Sequence, residues 1–223
     1  MKKSWALILF LCLVSAGQAQ QFKFIAGPAV SHYSDEWPPD GVWLNGAHLN
    51  PFENGKIGFM AGCGVELAAN RIVSIELDGL YFQKGSTFER TGLDSSSNRD
   101  VYMLSGFSVP LLFKLKLLSG PFPYFLSGLE FSYVVAHTRI RSYRPVAGPE
   151  WIELPKENLI GATNRFDLGP VVGLGLEARV AKVLLFLEAR YSLGLGDLPV
   201  ERGYFRPNIR TSSLVILTGF KFN

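Results

Sequence analysis

The residues able to do chemistry in this 223-residue chain are few and far apart. Three histidines, His32, His48 and His137, fall in polar stretches, and the first stands beside Ser34 and Asp35. Those are the residue types of a hydrolytic triad, but neighbours on one short loop do not form a nucleophile–base–orienter relay. Neither the histidines nor the two cysteines, Cys12 and Cys63, have the spacing of metal ligands. Gly173-Leu174-Gly175 opens no helix, so it reads as strand packing rather than a nucleotide loop. No catalytic, cofactor-binding or metal site is expected, and the chain is not read as an enzyme.

A second set of charged residues is denser and more regular. Glu76 and Asp78, Lys114 and Lys116, Glu177 and Arg179, and Glu188 and Arg190 each stand two positions apart, with Lys23, Glu66, Glu130 and Lys221 singly. Six basic and six acidic side chains balance. Spacing of two puts both charges of a pair on one face of a β-strand. Four such pairs sharing a face would arise by chance roughly one time in sixteen.

The elements that must position them are strands. Apolar residues alternate with the charges: Val73, Ile75, Leu77 and Tyr81 against Glu76 and Asp78, and Leu185, Leu187, Tyr191 and Leu193 against Glu188 and Arg190. Strands are expected over 22–31, 57–68, 72–83, 101–116, 123–136, 166–180, 183–195 and 212–222. Short turns at 69–71, 117–122 and 181–182 alternate with long polar connections at 32–56, 84–100, 137–165 and 196–211. Every long connection thus falls at one end. This is the pattern of an all-β, eight-stranded antiparallel up-and-down transmembrane β-barrel, with one face of each strand against lipid. Outward aromatics form two belts, Phe24, Phe113, Phe125, Phe220 and Phe222 at the turn end and Phe59, Tyr81, Tyr133 and Tyr191 at the loop end. Inward, eight strands leave a lumen just wide enough for side chains. The charges are therefore expected to form a paired network closing it, with room made by Gly62, Gly64, Gly106, Gly128, Gly173 and Gly175.

Composition agrees with this. Hydrophobic residues make up 48%, which excludes disorder, and 22 basic against 19 acidic residues give no electrostatic case for nucleic acid. Met1-Lys2-Lys3, the apolar run from Trp5 to Val14 and Gly17-Gln18-Ala19 read as a secretory signal peptide cleaved after Ala19, so 1–19 is a leader and 20–223 the barrel domain. Cleavage leaves Cys63 as a single thiol.

Long connections carry the binding candidates. Trp37, Trp43 and Trp151 stand among stiffening prolines, either packed on each other as a cap or exposed as a partner surface. Arg139, Arg141 and Arg144 are placed to meet lipopolysaccharide phosphates.

Phe22-Lys23-Phe24-Ile25-Ala26-Gly27-Pro28, the glycine-rich 58–64, Tyr81-Phe82-Gln83-Lys84-Gly85, Val109-Pro110-Leu111-Leu112-Phe113-Lys114, Pro123 to Gly128 and the closing Gly219-Phe220-Lys221-Phe222-Asn223 together resemble one family. It is the small outer-membrane β-barrel proteins of Bacteroidota, the PorT-like group. The resemblance covers nearly all of the chain after the leader. It implies the Gram-negative outer membrane as location, and outer-membrane lipids and the barrel-assembly machinery as partners, beside a protein partner it does not identify. A structural or interaction role through the external loops is expected; the alternatives are a narrow pore for small solutes or an accessory part of a secretion system.

Overall fold

The computed structural model describes residues 20–35, 54–68, 70, 72–91, 96–117, 122–146, 148, 150–196 and 209–222. The leader and its cleavage point lie outside these residues, as do His48, Trp37 and Trp43. Eight long strands make the fold: β1 (Gln20–Asp35), β2 (Asn54–Ala68), β3 (Val73–Thr91), β4 (Ser97–Lys116), β5 (Phe122–Arg144), β8 (Phe166–Val180), β9 (Val183–Leu193) and β10 (Ile209–Phe222). Between β5 and β8 lie two short strands, β6 (Ile152–Glu153) and β7 (Glu157–Asn158), and a single 3₁₀ turn, Ile160–Ala162.

The long strands pair antiparallel in the order β4-β3-β2-β1-β10-β9-β8-β5, and β4 pairs with β5 to close the ring. Closure leaves no open edge, which is what a sheet needs to satisfy its backbone in lipid. Side chains alternate accordingly. Leu111, Phe113, Leu174, Leu176, Leu185 and Leu187 point out and are about half exposed, whereas Leu112, Lys114, Glu177, Phe186 and Glu188 point in and are buried. Both aromatic belts face outward.

Turns explain themselves locally. At the β2–β3 turn the Asn70 Oδ1 accepts hydrogen bonds from the Ile72 and Val73 N–H groups, both at 2.8 Å. The β8–β9 turn has two residues, Ala181 and Lys182, and Ala181 takes a left-handed φ of 55° to make it.

The strands reach further than their apolar pattern does. The connection expected over 84–100 is mostly hairpin, with β3 and β4 paired from Lys84↔Leu104 up to Thr91↔Ser97. Likewise β5 continues to Arg144, so Arg139, Arg141 and Arg144 stand on a strand rather than beside a loop. Above the bilayer nothing requires an apolar outer face, so the hydrophobic alternation ends while backbone pairing goes on. β6 and β7 pair with β5 beyond the end of β8, widening this projecting wall.

Two bulges interrupt the ladders. β2 carries one extra residue between Gly55 and Met60, and β5 carries one beside Ser105 and Gly106 of β4. Each extra residue reverses which parity faces out beyond it.

Candidate functional site

The inward charges of the lower lumen form one connected cluster. Five cations (Lys23, Lys114, Lys116, Arg190, Lys221) meet five anions (Glu66, Glu76, Asp78, Glu177, Glu188). Glu76 is at its centre, in contact with Lys23, with Lys114 and Lys221 at 3.3 Å each, and with Arg190 at 3.6 Å. Lys114 reaches Glu177 at 2.7 Å and Glu66 at 3.2 Å. Arg190 joins Asp78 at 2.9 Å to Glu188. Lys116 lies at the rim, 3.0 Å from Glu177 and partly open to solvent. Each charge has opposite partners, the condition under which buried charge is tolerated.

Neutral groups complete the cluster. Ser74 donates to Glu66 at 2.7 Å, and the Tyr124 hydroxyl donates to Glu188 at 2.8 Å. The Tyr124 ring lies on Gly175, where a Cβ would collide with it, and Lys114 Nζ sits 3.7 Å from the ring centroid. Tyr124 was not among the residues expected here; its even parity on the fifth strand was the available signal.

Of the twelve charges read from the sequence, ten belong to this cluster. Glu130 lies apart, 3.6 Å from Lys84 and buried with it. Arg179 is a correction: it sits exposed beside the two-residue turn, opposite Leu184, and joins no ion pair among the described residues. Lys84, at the start of the connection expected over 84–100, faces inward instead, because β3 runs on through that position.

Beside the charges and on toward the loop end the lumen is apolar, with the Phe186 ring reaching down to Lys23 and Lys221. Ile25, Ala29, Met60, Leu80, Phe82, Leu104, Val134, Phe186, Val215 and Leu217 form a buried apolar cluster inside the barrel, with Ile160 packed against it. Charge alone is expected in the lumen from the sequence, and the apolar cluster is a difference from that. These residues share the inward parity with the charges, and their being apolar on both faces of a strand hid their side.

The projecting wall holds the other candidates. Arg139 and Arg141 both engage Glu157, and their hydrogen bonds, that from Arg141 foremost, hold its carboxyl below the usual range. Arg144 and Arg99 lie against the Trp151 ring at 5.2 and 4.4 Å. The three arginines are thus committed to neighbours. His137 is buried on the inner side. Its Nδ1 is 2.7 Å from the Thr163 hydroxyl, which itself donates to the Leu159 carbonyl at 2.7 Å, so Nδ1 carries the proton. Burial, with Arg139 beside it, lowers its pKa to about 4. His32, Ser34 and Asp35 fall on β1. Among the described residues no three His, Cys, Asp or Glu side chains are grouped to hold a metal.

The sequence profile of the outer membrane protein beta-barrel domain matches residues 17–199. The chain belongs to that family. As an outer-membrane β-barrel it is placed in the outer membrane, with the apolar belt in lipid. Solved structures similar to the barrel include three outer-membrane proteins. Ail of Yersinia pestis, in complex with the heparin analogue sucrose octasulfate, is 14% identical and covers 92% of this chain and 100% of its own, at a TM-score of 0.40. OprG of Pseudomonas aeruginosa is 12% identical over 92% and 95%, at 0.48, and Neisserial surface protein A is 14% identical over 90% and 97%, at 0.41. No curated protein sequence matches the barrel.

Proposed function

We propose that this outer-membrane barrel is a closed, non-conducting and non-enzymatic scaffold whose role is an interaction made by its projecting wall. The filling of the lumen by two buried clusters, one apolar and one charged, carries the reading. An ion entering the lumen would have to pass a buried apolar cluster and break into a charge cluster in which each member is paired. The wall supports the interaction half. β3, β4 and β5 are the longest strands, at 19, 20 and 23 residues, where roughly 9–11 cross a bilayer. Chain is thus invested in a rigid surface outside the membrane, braced by Glu157 between two arginines and by Trp151 between two more. The PorT-like branch remains the finer family reading, supported by the motifs in 22–28, 58–64 and 109–128 and by the closing Gly219-Phe220-Lys221-Phe222.

Single-channel recording of the refolded protein in planar bilayers tests the closed lumen. Silence is expected in the wild type, with leak appearing in Glu76→Ala and Arg190→Ala. Steady ion-selective conductance in the wild type would make the barrel a pore.

A further inference from the structure

A cavity of about 220 Å³ opens on the outer wall just above the loop-end aromatic belt, lined in part by Lys56, Gln83, Met103, Ser105, Thr138 and Lys156. Register fixes its height. Tyr81, Phe107 and Tyr133 are cross-strand neighbours in the belt, and the row Gln83–Ser105–Ala136 lies two residues further along β3, with Gly85–Met103–Thr138 two beyond that. At about 3.3 Å per residue and a strand tilt near 40°, these rows stand roughly 5 and 10 Å above the belt, at the level of lipid headgroups.

Both bulges frame this cavity. The extra residue in β2 turns Lys56 outward, where its stem crosses the bare face of Gly85: a Cβ there would lie 2.9 Å from Lys56 Cδ. The extra residue in β5 turns Ala136 and Thr138 outward on the other side. Lys156, between β6 and β7, closes the far end. Lys84 also borders the cavity, but its ammonium is turned to Glu130 and the Phe82 ring. Among the described residues neither Lys56 nor Lys156 has a carboxylate partner, and the Ser105 and Thr138 hydroxyls make no hydrogen bond. Partial burial lowers the pKa of Lys56, so an anion beside it would meet a cation already short of solvent. Below the lysine, Ile57 is 73% exposed and Phe59 is 45% exposed, both apolar and facing outward.

We propose that this cavity binds the phosphorylated headgroup of an outer-leaflet glycolipid, with Lys56 and Lys156 on the phosphate, Gln83, Ser105 and Thr138 around it, and an acyl chain along Ile57 and Phe59. Two ammonium groups that have no carboxylate partner among the described residues, with hydroxyl donors beside them, suit phosphate. The position at the bilayer edge, above apolar side chains, selects a lipid rather than a soluble ion. The site lies outside the lumen, so it stands or falls separately from closure of the barrel.

The test is native mass spectrometry of the full chain after extraction from nanodiscs of neutral phospholipid doped with bisphosphorylated lipid A. Wild type and the exposed-lysine control Lys182→Gln are expected to retain one lipid A per barrel. Retention should fall roughly tenfold in Lys56→Gln/Lys156→Gln, and for dephosphorylated lipid A in the wild type. Heat-modifiable gel mobility reports that each variant is folded. Equal retention by the folded double variant, equal retention of the dephosphorylated lipid, or displacement by millimolar inorganic phosphate would each overturn the assignment.

Discussion

Glu76 sets the balance of the lumen because one carboxylate answers four cations. Glu76→Gln removes that charge and leaves the cations facing each other in a buried site. Breaking a buried pair from one side costs about 3–5 kcal/mol, whereas removing both partners costs less. The urea midpoint of refolding into vesicles should therefore drop in Glu76→Gln and recover in part in Glu76→Gln/Lys23→Met; a double variant no better than the single would show that the ion pairs do not act together. His137 gives a second residue-scale expectation. Its pKa falls from an ordinary value near 6.5 to about 4 in the folded wall, so the unfolded segment takes up a proton first as pH drops. The neutral imidazole thus stabilises the wall fully above about pH 6.5, and that contribution is lost between about 6.5 and 4, up to roughly 3 kcal/mol. Proteolysis of the 150–165 segment should rise over that window in the wild type and stay flat in His137→Asn.

Elements respond to different constraints along their length. Within the bilayer each strand keeps an apolar outer face, so the sequence displays it. Above, β3, β4 and β5 continue on backbone pairing, with Phe88 packed edge-on to Tyr102, and the apolar pattern no longer marks them. That is why eight strands were legible while the tops of three were read as loop. The turns carry a prediction of their own. Ala181 holds φ at 55°, a conformation that costs a residue with a Cβ roughly 1 kcal/mol and costs glycine little. Ala181→Gly should raise stability by about that amount, less the entropy glycine adds to the unfolded chain, with hairpin register unchanged. A lowered urea midpoint would mean that the turn is not strained there.

For the whole molecule, the ring and its immersion in lipid decide what each surface meets. Cys63 is on β2 between Gly62 and Gly64, yet it is exposed and points outward, beside Phe24 and the bare face of Gly79. Labelled with a small environment-sensitive fluorophore and refolded into vesicles, Cys63 should emit in the blue, be quenched by brominated lipid tails and ignore aqueous iodide. Iodide quenching would place that face of β2 away from lipid and contradict the orientation of the barrel. The same immersion separates the lumen, where charge must be paired and buried, from the projecting wall, where Arg144 and Arg99 lie on an aromatic ring near solvent and Arg99 also meets Glu89.

Alternation of charge and apolar residues by itself determined eight strands, their order of short and long connections, and the side each charged residue faces within the bilayer. Lipid punishes an outward charge wherever it falls, so that information is local and survives in the sequence. Which charge meets which was decided only by closure. Lys23 and Glu76 stand on strands that do not pair, and meet because the ring brings their inward faces to one point. Arg179 stands outside the cluster because a turn lies just past it, and Lys84 faces inward, beside Glu130 and apart from the cluster, because pairing carries β3 beyond its apolar stretch. The bulge that turns Lys56 outward is one extra residue in a ladder, and an extra residue acquires meaning only against the strand it is paired with.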